Sequence, residues 1–254
     1  MKQISYLTDS HIHVGQYNDL YTSPSELKVF LDSVGVESFA VSSTTICNVD
    51  YRKVISELKS LETLCGDRMS PVLWIIPSML TDGGAEMFIE SGLVWKCIKI
   101  HPQLNPEIWM KNGTEMQTVI SIASAMQLPL LIHTGNWQGC HPSQYSQVVE
   151  KNPNVVFILA HGRPFDETIT MMKQYPNVWV DTAFMPIEHV RLLCDEGLAD
   201  RVLWGTDYPI PKYFYSKRDM PEYYLDLVDQ LRNMVSNEDF DKITRVNFYR
   251  LFSH

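Results

Sequence analysis

His11 and His13 stand two residues apart in the segment DSHIH, a spacing that on an extended strand puts both imidazoles on one face. Three further residues of matching chemistry close other short apolar runs: His133 in LLIHT, His161 in ILAHG and Asp207 in WGTD. Neutral imidazoles with a carboxylate are good ligands for zinc or a similar borderline divalent ion. A single histidine at a strand end is more often a structural residue satisfied by its neighbours. Four imidazoles and a carboxylate closing separate runs predict instead that the runs converge on one metal site. A divalent ion there would lower the pKa of a bound water from about 15.7 toward roughly 7. Asp207 beside that water would accept its proton and later return it to a leaving group. His161 would orient the water or polarise a substrate carbonyl.

Bringing these side chains together requires strands whose C-terminal ends meet. The runs ISYLTD, VESFAVS, SPVLWIIP, VWKCIKI, PLLIHT, NVVFILA, NVWVD and RVLWGTD alternate with segments of helical period. Each is apolar on both faces, as parallel strands must be when helices cover them outside and packed side chains fill them inside. Eight such units predict an α/β fold, a single (β/α)8 TIM barrel spanning residues 1–254 as one domain. That fold places its active site at the C-terminal ends of the strands, where the His and Asp set falls. Ser23-Pro24-Ser25-Glu26 reads as a capping box opening a helix that Gly35 ends, and Ser143, Asp166 and Ser236 read as later N-caps. The loops TGNWQGCHPS and YPIPKYFYSKRDMPEYY are irregular, polar and aromatic, and belong at the barrel mouth.

In this order, DSHIH, LLIHTG, ILAHG and WGTDYP resemble the amidohydrolase superfamily. More narrowly they resemble its amidohydrolase-related group, which includes aminocarboxymuconate-semialdehyde decarboxylase. The tail ITRVNFYRLF is similar to that group's closing helix, so the resemblance covers essentially the whole chain. It implies that His11, His13 and His133 bind metal, that Asp207 is both ligand and general base, and that His161 is the catalytic histidine. It also implies one divalent ion, Zn2+ in the first place and Mn2+ as the alternative.

Lys99 and His101, two apart in VWKCIKIHP, share a face directed into the barrel. Two-metal members of the superfamily carry a carboxylated lysine on this strand as a bridge, with the sixth-strand histidine on the second ion; Lys99 and His161 would match that pattern. The other reading makes Lys99 a cationic anchor for a substrate carboxylate and His101 a polar wall residue. Arg163 is expected to bind a substrate carboxylate or to pair with Asp166. Asn136, Trp137 and Tyr208 are expected to line the substrate pocket, and Asp181 to orient a ligand histidine. His141 and His189 have no supporting pattern and read as surface residues.

Thirty acidic against 21 basic residues give a formal net charge of −9, with no cluster of Lys or Arg. That balance speaks against a nucleic acid or an anionic membrane as partner. No segment approaches the roughly 20 apolar residues of a membrane span, and the opening MKQISYLTDSHIH has no apolar stretch fit for a signal peptide. Five widely spaced cysteines without a C-x-x-C pair read as reduced thiols of a cytoplasmic protein. The expected activity is attack of an activated water on a C–O or C–N bond of a lactone, ester or amide in a small, carboxylated molecule. Two alternatives stay open: metal-dependent decarboxylation at the same site, and a metal-binding scaffold without catalysis. A homodimer is expected from fold analogy.

Overall fold

The computed structural model describes residues 6–103 and 113–253. Ile4 and Ser5 of the first predicted run lie outside the described residues. Nine strands form one sheet: β1 (Leu7–Tyr17), β2 (Leu20–Thr22), β3 (Val36–Ser43), β4 (Met69–Trp74), β5 (Cys97–Ile100), β6 (Leu130–His133), β7 (Phe157–Ala160), β8 (Val178–Asp181) and β9 (Val202–Leu203). Their spatial order is β2-β1-β3-β4-β5-β6-β7-β8-β9, and every pairing except β1 with β2 is parallel. Each of the eight predicted runs therefore contains one parallel strand.

The ends of the sheet join. Ser10 N donates to Trp204 O at 2.8 Å, Asp207 N to His11 O at 2.7 Å and His13 N to Tyr208 O at 2.6 Å. These bonds close the sheet into a barrel and fix Asp207 directly beside the H-x-H segment. The tail seals the opposite end. A π-helical turn, Lys242–Val246, frees two carbonyls: Ile243 O accepts from Trp204 N at 2.9 Å and Thr244 O from Thr8 Oγ1 at 2.8 Å.

Strand alternation explains how a polar site sits on an apolar floor. Cys97, Leu131, Trp179 and Leu203 pack in one buried cluster with Phe248 and Phe252 of the tail. Two residues further along the same faces of β5, β6 and β8 stand Lys99, His133 and Asp181. The inward face thus changes from apolar to ionisable within one step of the pleat.

Two sequence expectations need correction. β1 runs past the barrel to Tyr17 and turns back antiparallel into β2, a hairpin that the polar segment QYND concealed. Asn18, at φ +51°, makes the turn, while Gly15 within β1, at φ +95°, permits close packing: a Cβ there would lie within 2.7 Å of Thr45 Oγ1, Glu57 Oε2 and Ser43 Oγ. The predicted cap at Ser23 forms, with Glu26 N donating to Ser23 Oγ, and so does that at Ser236. Asp166 instead occupies the first turn of the helix Phe165–Gln174, which begins after Pro164, and Ser143 lies inside a short 3-10 turn. Among the described residues no helix is long and apolar enough to cross a membrane.

Candidate metal centre

β1 carries His11 and His13 into the barrel mouth, where both are buried. His11 Nδ1 lies 2.8 Å from Asp181 Oδ2. An ionised carboxylate only accepts, so the proton sits on Nδ1 and Nε2 keeps its lone pair. His13 Nδ1 faces Ser42, with the carbonyl at 3.3 Å and Oγ at 2.9 Å, which sets the same tautomer. Both Nε2 atoms then point at Asp207 Oδ1, 3.3 Å from His11 and 2.9 Å from His13. Three lone-pair atoms with no proton among them repel one another unless a cation sits between. The Lys99 ammonium supplies positive charge there, 2.8 Å from His11 Nε2 and 3.2 Å from His13 Nε2. His11, His13 and Asp207 offer ligand atoms all within 4.8 Å of one another. Two imidazole nitrogens and a carboxylate oxygen, oriented from behind by hydrogen bonds, fit a divalent ion.

Electrostatics keep these groups in their ligand forms. Burial, helped by the Lys99 charge, holds His13 down at about 3. Burial likewise lowers His161 to about 4 and pushes His101 and His133 well below the usual imidazole value. Burial works upward on Asp207, but neighbouring His11, His13 and His161 outweigh it and keep the carboxyl well below its ordinary range. Lys99 is lowered by burial to about 8; its amine also lies over the Trp74 ring, 4.5 Å from the centroid.

His133 and His161 form an adjacent pair. His161 Nδ1 faces the Ala183 carbonyl at 3.1 Å, so its Nε2 accepts from His133 Nδ1–H at 3.0 Å. That leaves the lone pair of His133 on Nε2. Two groups of three potential ligands form among the described residues, His11 with His13 and Asp207 and His11 with His161 and Asp181, and neither includes His133; the His161 ring lies 4.6 Å from that of His133 and 5.2 Å from that of His11. His161 and Asp207 both have left-handed backbones, φ +69° and +58°. Such strain is of order 1–3 kcal/mol per residue and persists only where surroundings over-determine it. Here His161 N donates to Asp181 Oδ1 at 2.9 Å, and Asp207 N is tied to His11 O.

Asp181 is thus a hub, accepting from the His11 ring, from His161 N and, at 3.0 Å, from Ala183 N. Asp181→Asn should weaken metal binding by about 10- to 100-fold through loss of His11 orientation, read by competition against a chromogenic chelator. An unchanged affinity would make Asp181 a purely structural residue.

Sequence reasoning missed Asp9. Its Oδ1 accepts from His11 N at 3.1 Å and Thr206 N at 3.2 Å, and its Oδ2 from Thr206 Oγ1 at 2.7 Å. One buried carboxyl group, pushed up to about 8 by burial, therefore clasps the two segments that carry His11 and Asp207. The signal was available: an acidic residue at period two with His11 and His13.

Above these groups lies a cavity of about 550 Å³. Lys99, His101, His133, His161 and Asp207 line it, together with the expected Arg163, Asn136 and Trp137. Arg163 Nε is buried without a hydrogen-bond partner, and the pair with Asp166 does not form among the described residues. Tyr208, expected in the pocket, does not line it: its buried ring stacks on Phe30 at 3.5 Å and 3°. Its backbone pairs with β1 through His13 N, which turns the side chain outward to the helix Pro24–Val34. Tyr17, Phe184 and Phe214 line the cavity without having been singled out. His141 and His189, expected on the surface, are half-buried, the first against Glu167 at 2.8 Å and the second stacked on Phe165 at 4.0 Å.

A family model described as Amidohydrolase matches residues 86–253. No curated protein matches the chain by sequence. Among solved structures it is similar to an uncharacterised TIM-barrel protein of Bordetella bronchiseptica, at 15% identity and TM-score 0.70, covering 98% of both chains. It is similar to a probable 2-pyrone-4,6-dicarboxylic acid hydrolase of Acinetobacter baumannii, at 11% identity and TM-score 0.69, covering 98% of this chain and 99% of that one. A 4-oxalomesaconate hydratase of Rhodopseudomonas palustris matches at 12% identity and TM-score 0.67, covering 97% and 95%. At such identities the likeness is one of fold.

Proposed function

The chain belongs to the amidohydrolase family, whose model spans residues 86–253, and from that premise we propose that it is a metal-dependent hydrolase acting on a C–O or C–N bond of a small carboxylated molecule. The observation that carries this reading is the convergence of His11 Nε2, His13 Nε2 and Asp207 Oδ1 beneath an open cavity. These three would hold one ion, zinc by the donor set and manganese as the alternative. His133, with its Nε2 lone pair free of His161, would serve as a further ligand. When bound, the ion supplies Lewis acidity and an activated water at neutral pH.

The chain's own residues do the rest. Asp207, ionised and facing both histidines, accepts the proton of the attacking water. The same carboxyl then returns that proton to the leaving oxygen or nitrogen. His161, neutral and with Nδ1–H committed to Ala183 O, has only the lone pair of Nε2 to offer, the one that accepts from His133 Nδ1–H; it would orient the water once His133 turns to the metal, and cannot donate to the carbonyl. Arg163 holds the substrate carboxylate, with Asn136 beside it at the mouth. His101 forms a polar wall.

Lys99 favours a second reading. An amine this near His11 and His13 would, if carboxylated by carbon dioxide, supply a carbamate to hold a second ion together with His161. Metal analysis separates the two: about one ion per chain supports the single-ion site, and two make Lys99 the bridge.

The hydrolytic reading is tested with zinc-loaded protein in 18O-water and a panel of lactones, esters and amides bearing a carboxylate. Label in the newly formed acid is the expected result, with one proton released per turnover for a lactone or ester and none net for an amide, whose amine takes it up. Carbon dioxide from a carboxylated aromatic or muconate-like compound, with no labelled acid, would replace hydrolysis by decarboxylation.

A further inference from the structure

The helix Tyr51–Cys65 packs on β1, β3 and β4 and buries Val54, Glu57, Leu58 and Leu61. A carboxyl among aliphatic side chains is unfavourable unless its oxygens are satisfied. Glu57, at 5% exposure, finds its partners at the end of β3: Ser43 Oγ donates to Oε2 at 2.6 Å and Thr45 Oγ1 to Oε1 at 3.0 Å. Thr45 Oγ1 in turn accepts from Gln16 N at 3.0 Å, the amide next to Tyr17. Thr44, between the two hydroxyl residues, donates from Oγ1 to Val14 O at 3.1 Å. Glu57, Ser43, Thr45 and Gln16 do not line the cavity, whereas Tyr17 and Thr44 do.

The clamp matters because β1 has left the barrel at this point. Its pairing with β3 ends at Val14 and Ser43, and Gln16 and Tyr17 pair with the three-residue β2. A two-stranded hairpin is marginally stable by itself, so its position must come from a tertiary anchor. Tyr17 is half-buried, with its ring edge to face against Tyr213 at 5.9 Å. Burial, with the Asp207 charge second, pushes its phenol above the ordinary value, so the hydroxyl keeps its proton at neutral pH. Neighbouring donors are committed elsewhere: His13 to Ser42, His161 to Ala183 and Thr44 to Val14. We propose that Tyr17 donates a hydrogen bond to a substrate oxygen in the cavity, and that Glu57, acting through Thr45 and Gln16, is the residue that positions it. The donor role rests on the cavity being the substrate site, as the hydrolytic reading holds; the clamp does not.

Fluorine NMR of the protein labelled with 3-fluorotyrosine reads the clamp without turnover, the Tyr17 line being assigned by its loss in Tyr17→Phe. Glu57→Ala should move or broaden that line and leave the line of Tyr145, buried in the turn Pro142–Tyr145, in place. Thr45→Val removes the bridging hydroxyl at nearly constant shape and should do the same, which keeps the test open where Glu57→Ala fails to fold. Glu57→Gln keeps an acceptor for Thr45 Oγ1 and should leave the Tyr17 line unmoved. On the substrate that the hydrolysis panel identifies, Tyr17→Phe should lower kcat/KM by about 3- to 10-fold at unchanged zinc content, the loss of one ordinary hydrogen bond. Glu57→Ala should lower it by a similar factor, and the double variant by no more than either alone. A Tyr17 line unmoved in Glu57→Ala and in Thr45→Val, or losses that multiply in the double variant, overturns the proposal. Absence of turnover in the wild type, with the Tyr17 line moved by Glu57→Ala, would instead sink the hydrolytic reading alone.

Discussion

Asp207→Asn should lower kcat by about 10²- to 10⁴-fold, the usual contribution of a general acid–base group, while the protein stays folded. The substitution is nearly isosteric, and the left-handed backbone at φ +58° suits Asn, which is several-fold enriched in that region. The bond from Asp207 N to His11 O is a main-chain contact and survives. What disappears is the charge. An amide oxygen still faces His11 and His13, but it cannot take up a proton at neutral pH. Because Asp207 also belongs to the ligand set, metal affinity should fall too, so the kinetics are measured at saturating metal with content determined in parallel. A variant with native metal content and near-native kcat would remove Asp207 from the role of base.

Much of this was readable in the sequence because the barrel strands are buried on both faces. PLLIHT and NVVFILA announce themselves as apolar runs, and a histidine or aspartate at the end of such a run has no apolar reason to be there. Position along the strand sets the rim; the pleat sets the inward face. Lys99, His133 and Asp181 follow from those two rules alone. What the sequence hid depends on contacts between distant strands. Tyr208 adjoins Asp207 in the sequence, yet pairing of its backbone with β1 turns its ring away from the cavity and onto Phe30. The Asp9 clasp joins residues almost the whole chain apart, at Thr206 and His11. The stacking of Trp74, His101, His133 and Trp137 needs the ends of β4, β5 and β6 side by side, and no local pattern encodes it. His133 shows the limit most clearly. Its strand position marks it as a site residue, but only the geometry reveals that its Nδ1 is spent on His161.

That pairing makes His161→Asn the sharpest test of how many ions the site uses. Asn tolerates the φ of +69° at this position, and the main-chain bond to Asp181 does not depend on the side chain. The shorter amide removes Nε2, the atom that accepts from His133 and would orient the water. With one ion on His11, His13 and Asp207, metal content stays at about one per chain while kcat falls by roughly 10²-fold or more, the loss of a positioned acid–base group. With two ions, His161 is itself a ligand, and content drops from two to one in step with activity. Plasma mass spectrometry on wild type and variant, after the same dialysis, decides between them. Retention of both metal and rate would show His161 to be no more than the partner that holds His133. The ring of His133 would then have lost its hydrogen-bond acceptor without consequence, and the catalytic assignment would pass to Asp207 alone.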